Sequence, residues 1–145
     1  MRLKSIFYIL FNCFINLFIF TILRHLSYTR YTSYCFNWTA ENNYLYMWAL
    51  VLLLVFFKKY IIAYSLTIGN LFGVIIGQYL GDYILTINSS KITSYTSNEE
   101  VYHLNYHYGA FIWIIIVIVF FAIGIIVQYK WMKKTKKAKK VPLFR

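Results

Sequence analysis

His103 and His107 stand four residues apart, and Glu99 lies four residues before the first of them. On a helix these three would share one face, because four residues turn through one full turn plus about 40°. Two imidazoles at that spacing can share a divalent cation, and Asp82 or His25 from elsewhere in the chain could add a further ligand. A zinc site takes at least three protein ligands and needs further groups to orient them. Glu99 is eight residues from His107, too far to reach the same ion easily. The residues between the histidines, Leu104, Asn105 and Tyr106, do not make the HExxH arrangement of a helix-borne zinc protease. His103, His107 and Asp82 therefore stand as metal candidates, behind the preferred reading of polar side chains on the surface of a loop helix.

Other chemistry is harder to find. The chain has no GxSxG nucleophile turn and no credible Cys–His spacing. Its glycine-rich segment carries no adjacent lysine that could hold a phosphate. The expectation is a protein without catalytic residues, cofactor or enzymatic activity.

The elements that must carry these residues are apolar. The chain has 145 residues, of which 61% are hydrophobic and only 13% charged, about half the usual charged share. Residues 109–127, GAFIWIIIVIVFFAIGIIV, run for nineteen positions without a charge, enough to cross a hydrocarbon core of about 30 Å. The fold class expected is an all-α integral membrane protein, a four-helix bundle in a single domain. Its spans fall near residues 6–23, 41–57, 60–86 and 108–129, with outer loops at 24–40 and 87–107 and a basic tail at 130–145. The second span is short, and reaches crossing length only if its helix starts near Glu41 with Thr39 as cap. MRLK followed by an apolar run resembles a signal peptide, but the run is long and no small-x-small cleavage site follows, so an uncleaved first span is expected.

Charge supports four crossings. With the N-terminus inside, twelve Lys and Arg fall on the cytoplasmic side against three outside, and all four acids fall outside. That is the sense of the positive-inside rule, with both termini cytoplasmic. Removing the second span would put the basic tail outside. Cys13 in the first span and Cys35 in the first outer loop are not placed to meet. The richness in Ile, Phe, Tyr, Asn and Lys points to an AT-rich genome and a bacterial plasma membrane.

Four of the six glycines stand at Gly69, Gly73, Gly77 and Gly81, and Ser65 extends the beat by one step. Positions four apart drift by about 40°, so these residues trace one slanted groove on the third span. Between lipid-embedded helices, association rests on close packing, which small residues permit. Glycine costs about 1 kcal/mol in an exposed helix interior, so four on one face require a compensating contact. The receiver expected first is the fourth span of the same chain; the others are a second copy or another membrane protein.

Amides complete the interior. Asn12, Asn16 and Asn70 reach similar depths, with Gln78 further round the third span. An Asn70 contact with Asn16 or Asn12 is expected to join spans one and three; the competing reading lines a solute path with these amides. A helix starting at Ser97, with Glu100 three residues on as a capping box, should lead into the fourth span. Past that span, Lys133, Lys134, Lys136, Lys137, Lys139 and Lys140 should meet anionic lipid at the cytoplasmic face. The net charge of +11 is mostly topological, and a patch tethered at the membrane does not suit nucleic acid.

Two function classes follow. One is a non-catalytic accessory, assembly, regulatory or immunity-type subunit that packs against a membrane partner. The other is a homo-oligomeric channel or small-solute transporter built on the glycine face. No ionisable residue lies at mid-depth, which argues against proton-coupled transport, and the accessory reading is placed first.

Overall fold

The computed structural model describes residues 3–30 and 34–138, and among them every element is helical. The order is α1 (Leu3–Arg30), α2 (Tyr34–Glu41), α3 (Leu45–Phe56), α4 (Tyr60–Ser89), α5 (Asn98–Leu104) and α6 (Gly109–Ala138). Three of these, α1, α4 and α6, are long and apolar enough to cross a membrane. At 30 residues, α4 and α6 are each about 45 Å long. Averaged along its length, α3 is more apolar than any of the three but has only 12 residues, about 18 Å.

Side-chain register fixes the directions of the helices. Tyr8 packs edge-on against Tyr60, Tyr64 reaches Asn12, and Thr67 reaches Asn16. Both numbers rise together, so α1 and α4 run parallel. Gln128, Gly124, Phe120, Trp113 and Gly109 meet α4 at Ile61, Ser65, Gly69, Gly73 and Gly77 in turn, so α6 runs antiparallel to α4. Between the end of α1 and the start of α4 the chain must therefore return along the bundle. α3 makes that return, burying Met47, Val51 and Val55 at helical spacing.

The turns around α3 explain its length. The helix does not begin near Glu41 behind a Thr39 cap. Thr39 lies inside α2, where its hydroxyl donates to the Phe36 carbonyl at 2.8 Å. Asn43 and Tyr44 then take left-handed conformations, φ 55° and 52°, and α3 starts only at Leu45. The buried Tyr44 hydroxyl, 2.6 Å from Ser27 Oγ, ties this turn to the end of α1. At the other end Lys58 is left-handed, the Lys58 N–H bonds the Val55 carbonyl, and the Lys59 N–H bonds that of Leu54. This is a Schellman closure with lysine where glycine is usual, and it turns the chain into α4 within three residues.

The apolar core joins α1, α2, α3 and α4 through Phe20, Leu23, Phe36, Tyr44, Val51, Val55, Ala63 and Val74. α6 stands apart. Only 6% of its most apolar stretch is buried within the chain, against 44% for α4, and α4 is its principal neighbour. Whatever holds α6 to the bundle must act along one narrow stripe.

Candidate functional site

Glycine makes that stripe. The chain has six glycines, and all six lie where α4 meets α6. A Cβ at Gly69 would stand 2.5 Å from Phe120 Cβ, and one at Gly73 would stand 2.7 Å from Trp113 Cδ1. At Gly77 the obstacle is backbone: the Gly109 carbonyl oxygen at 2.6 Å, with the Phe36 ring at 2.9 Å. Gly109 returns the relation, since its own Cβ would meet the Gly77 oxygen at 2.6 Å. At Gly81 the imidazole of His107 fills the space. At Gly124 it is Ser65 Cβ, at 2.8 Å, so the serine that extends the glycine series meets the last glycine of α6. None of the six has a positive φ, so each supplies space rather than an unusual backbone. Phe72 and Phe120 stack beside the contact with centroids 5.9 Å apart. The sequence reading did not single out Gly109 and Gly124; their only signal was being the remaining glycines, both in the last apolar run.

Amides cross the bundle in two directions. On α1, Asn12 Nδ2 donates to the Tyr8 carbonyl and Asn16 Nδ2 to that of Asn12, at 2.7 and 2.8 Å. These intrahelical bonds leave each side-chain oxygen aimed at α4. The Tyr64 hydroxyl donates to Asn12 Oδ1 at 2.5 Å, and the Thr67 hydroxyl donates to Asn16 Oδ1 at 2.6 Å. Thr67 has one proton, so its 3.0 Å approach to the Ala63 carbonyl is a minor share of a forked bond.

Asn70 bonds neither Asn12 nor Asn16. It is fully buried and accepts from the Trp113 indole N–H of α6 at 2.9 Å. The reason is angular: Asn70 sits at the edge of the glycine face, and that face meets α6. Helices α1 and α4 are joined through the α1 amides, and α4 answers with the hydroxyls of Tyr64 and Thr67 in place of the expected Asn70. Asn70 Nδ2 finds no partner among the described residues. Gln128, buried on α6, accepts from the Ile61 N–H at 3.2 Å and so satisfies one free donor in the first turn of α4.

The polar cluster between α4 and α6 divides the histidines. Ser97 and Glu100 form the capping box of α5, but α5 ends at Leu104 and does not continue into α6. Glu99, His103 and His107 therefore do not share one helical face. His103 is exposed and packs edge-on against Tyr102. His107 turns inward, with Nε2 3.1 Å from Asp82 Oδ1, while Asp82 Oδ2 accepts from Gln78 Nε2 at 2.8 Å. His107 Nδ1 accepts from the Gly109 N–H at 3.1 Å, which requires the proton on Nε2, the nitrogen that donates to Asp82. Both ring nitrogens are thus committed, and the imidazole caps the first turn of α6. Among the described residues no three His, Cys, Asp or Glu side chains converge as a metal group would.

Cys13 and Cys35 are free thiols, and burial pushes the Cys35 thiol above its ordinary pKa. Lys133 and Lys134 are exposed near the end of α6, Lys136 and Lys137 belong to its last helical residues, and Lys139 and Lys140 lie outside the described residues. Comparison with protein-family models, curated proteins and solved structures finds no match to this chain.

Proposed function

We propose that the chain is a non-catalytic accessory subunit of a membrane complex, crossing a bacterial plasma membrane four times with both termini in the cytoplasm. α3 serves as the second crossing: it returns the chain to the level of Tyr8 and Asn12, and the basic residues then divide twelve inside to three outside. The short α3 reaches across with the help of its flanking turns and of Tyr44, which extends to Ser27. The Gly69–Phe120 and Gly77–Gly109 contacts act as a glycine zipper inside one chain.

One observation carries the functional reading. α6 is attached to α4 along its glycine-lined stripe, while Ile114, Ile115, Ile118, Val119 and Ile126 face outward. The partner contact is assigned to this outward face, because the glycine groove is already filled. The same filling removes the interface on which a channel built from the glycine face would depend. Mid-depth amides bonded to neighbouring side chains suit a packed interior better than a solute path.

Extraction from native membranes in mild detergent, followed by native mass spectrometry, tests this reading. A second protein at fixed stoichiometry is expected, and it should be lost from an Ile115→Trp, Ile118→Trp variant that still folds. A homo-oligomeric ring of the chain that conducts ions in planar bilayers would contradict it.

A further inference from the structure

Two recesses meet at Trp48. The first, about 210 Å³, lies between α1 and the turn before α3, where Thr21, Arg24 and Asn43 supply its polar groups over Leu17 and Phe20. The second, about 440 Å³, is wholly hydrophobic in its lining and follows α3 past Ala49, Leu52, Leu53 and Phe56. Trp48 walls both.

The polar recess is held in shape. Asn43 is left-handed, and the adjacent Tyr44 is fixed to α1 through Ser27, so Asn43 and Arg24 stay at one recess. The Arg24 guanidinium is exposed and forms no ion pair among the described residues. The Thr21 hydroxyl is already donated to the Leu17 carbonyl, which leaves Arg24 and Asn43 as the donors. Arg24 is twenty residues from Lys4, about 30 Å along α1, one hydrocarbon thickness from the opposite headgroup level. From Trp48 to Phe56 the apolar recess runs about 12 Å along α3, away from Arg24 and into the apolar layer.

We propose that these recesses seat one glycerophospholipid of the outer leaflet. Its phosphate sits on the Arg24 guanidinium, whose planar fork suits paired phosphate oxygens, with the Asn43 amide as second donor. One acyl chain passes Trp48 and lies along α3. A partner helix could cover the apolar recess but would have no phosphate to set against Arg24. The site rests on the membrane placement proposed above and not on the accessory reading, so a failed search for a protein partner would leave it intact.

The test uses the full chain, purified and stripped of lipid in detergent. It is then supplied with phosphatidylglycerol or with diacylglycerol of the same acyl chains, and bound lipid is counted by native mass spectrometry. One phosphatidylglycerol per chain should persist, at no less than about ten times the occupancy of diacylglycerol, a difference of about 1.4 kcal/mol. Arg24→Gln should lower that occupancy about tenfold; the lysine-rich end contributes equally to both proteins and so cancels in the comparison. Asn43→Gly, which keeps the left-handed turn, should lower it in the same direction, and Ala49→Phe should displace both lipids by filling the groove from an exposed position. Equal retention of the two lipids, or unchanged phosphatidylglycerol on folded Arg24→Gln and Asn43→Gly, would overturn the assignment.

Discussion

Gly77→Ala adds one methyl group where α4 and α6 come closest. The new Cβ would stand 2.6 Å from the Gly109 carbonyl oxygen, 2.9 Å from the Phe36 ring and 3.4 Å from Trp113 Cβ. A carbonyl oxygen cannot rotate out of the way, so the helices must part by about 0.8 Å to restore the roughly 3.4 Å of ordinary contact. Overpacking of this kind costs about 1–3 kcal/mol, while alanine returns about 1 kcal/mol of helix propensity. Because the obstacle here is backbone, the cost falls at the upper end of that range, and the net expectation is a loss of about 2 kcal/mol, a factor of roughly 30 in the folded-to-unfolded ratio. Unfolding by sodium dodecyl sulfate in mixed micelles reads this directly, with the Trp113 indole at the contact as reporter. Ile76→Ala, on the exposed face of the same helix, is the control and should change little. If Gly77→Ala is neutral, or stabilises by its propensity gain, the close approach of Gly77 to Gly109 is refuted.

Tyr64→Phe removes the donor to Asn12 and should cost about 0.6 kcal/mol, and not much more than 1.7, in the same titration. Trp113→Phe leaves the buried Asn70 without its indole donor and should cost about 1–3 kcal/mol; Asn70→Leu added to it should recover part of the loss. Cys35 should react from the outer side with a membrane-impermeant maleimide. Because burial raises its pKa, less of the thiol is thiolate at neutral pH, so its rate should still climb with pH where free cysteine has levelled off. Measuring that rate between neutral and alkaline pH checks both side and sign.

The glycine series was legible because its spacing is a property of the helix alone: Ser65 to Gly81 must share a face wherever the helix is placed. What fills that face was a choice among candidates, since apolar runs carry no address. Asn70 went to the wrong helix in the sequence reading because depth was weighed above angle. Counting from the flanking lysines sets Asn12, Asn16 and Asn70 at similar depth, but Asn12 is level with Tyr64 and Asn16 with Thr67, while Asn70 borders the glycines and meets α6 at Trp113. The late start of α3 was hidden for another reason. It depends on left-handed Asn43 and Tyr44, and only the asparagine is a residue type that signals such a turn. The capping box at Ser97 was readable from two residues, whereas the end of α5 was not. That end lets His107 fold back onto Gly109 and Asp82, a tertiary arrangement with no local pattern.

Cross-linking Ser65→Cys to Gly124→Cys, in a chain whose Cys13 and Cys35 are replaced by serine, tests the central claim most directly. The two Cβ positions stand 2.8 Å apart across α4 and α6, within about 1 Å of disulfide spacing. Oxidation in native membranes should give a monomer with a 65–124 disulfide, identified by peptide mass spectrometry. A disulfide-linked dimer, or no bond under conditions that oxidise exposed pairs, would contradict the closure of the glycine face of α4 by α6 of the same chain.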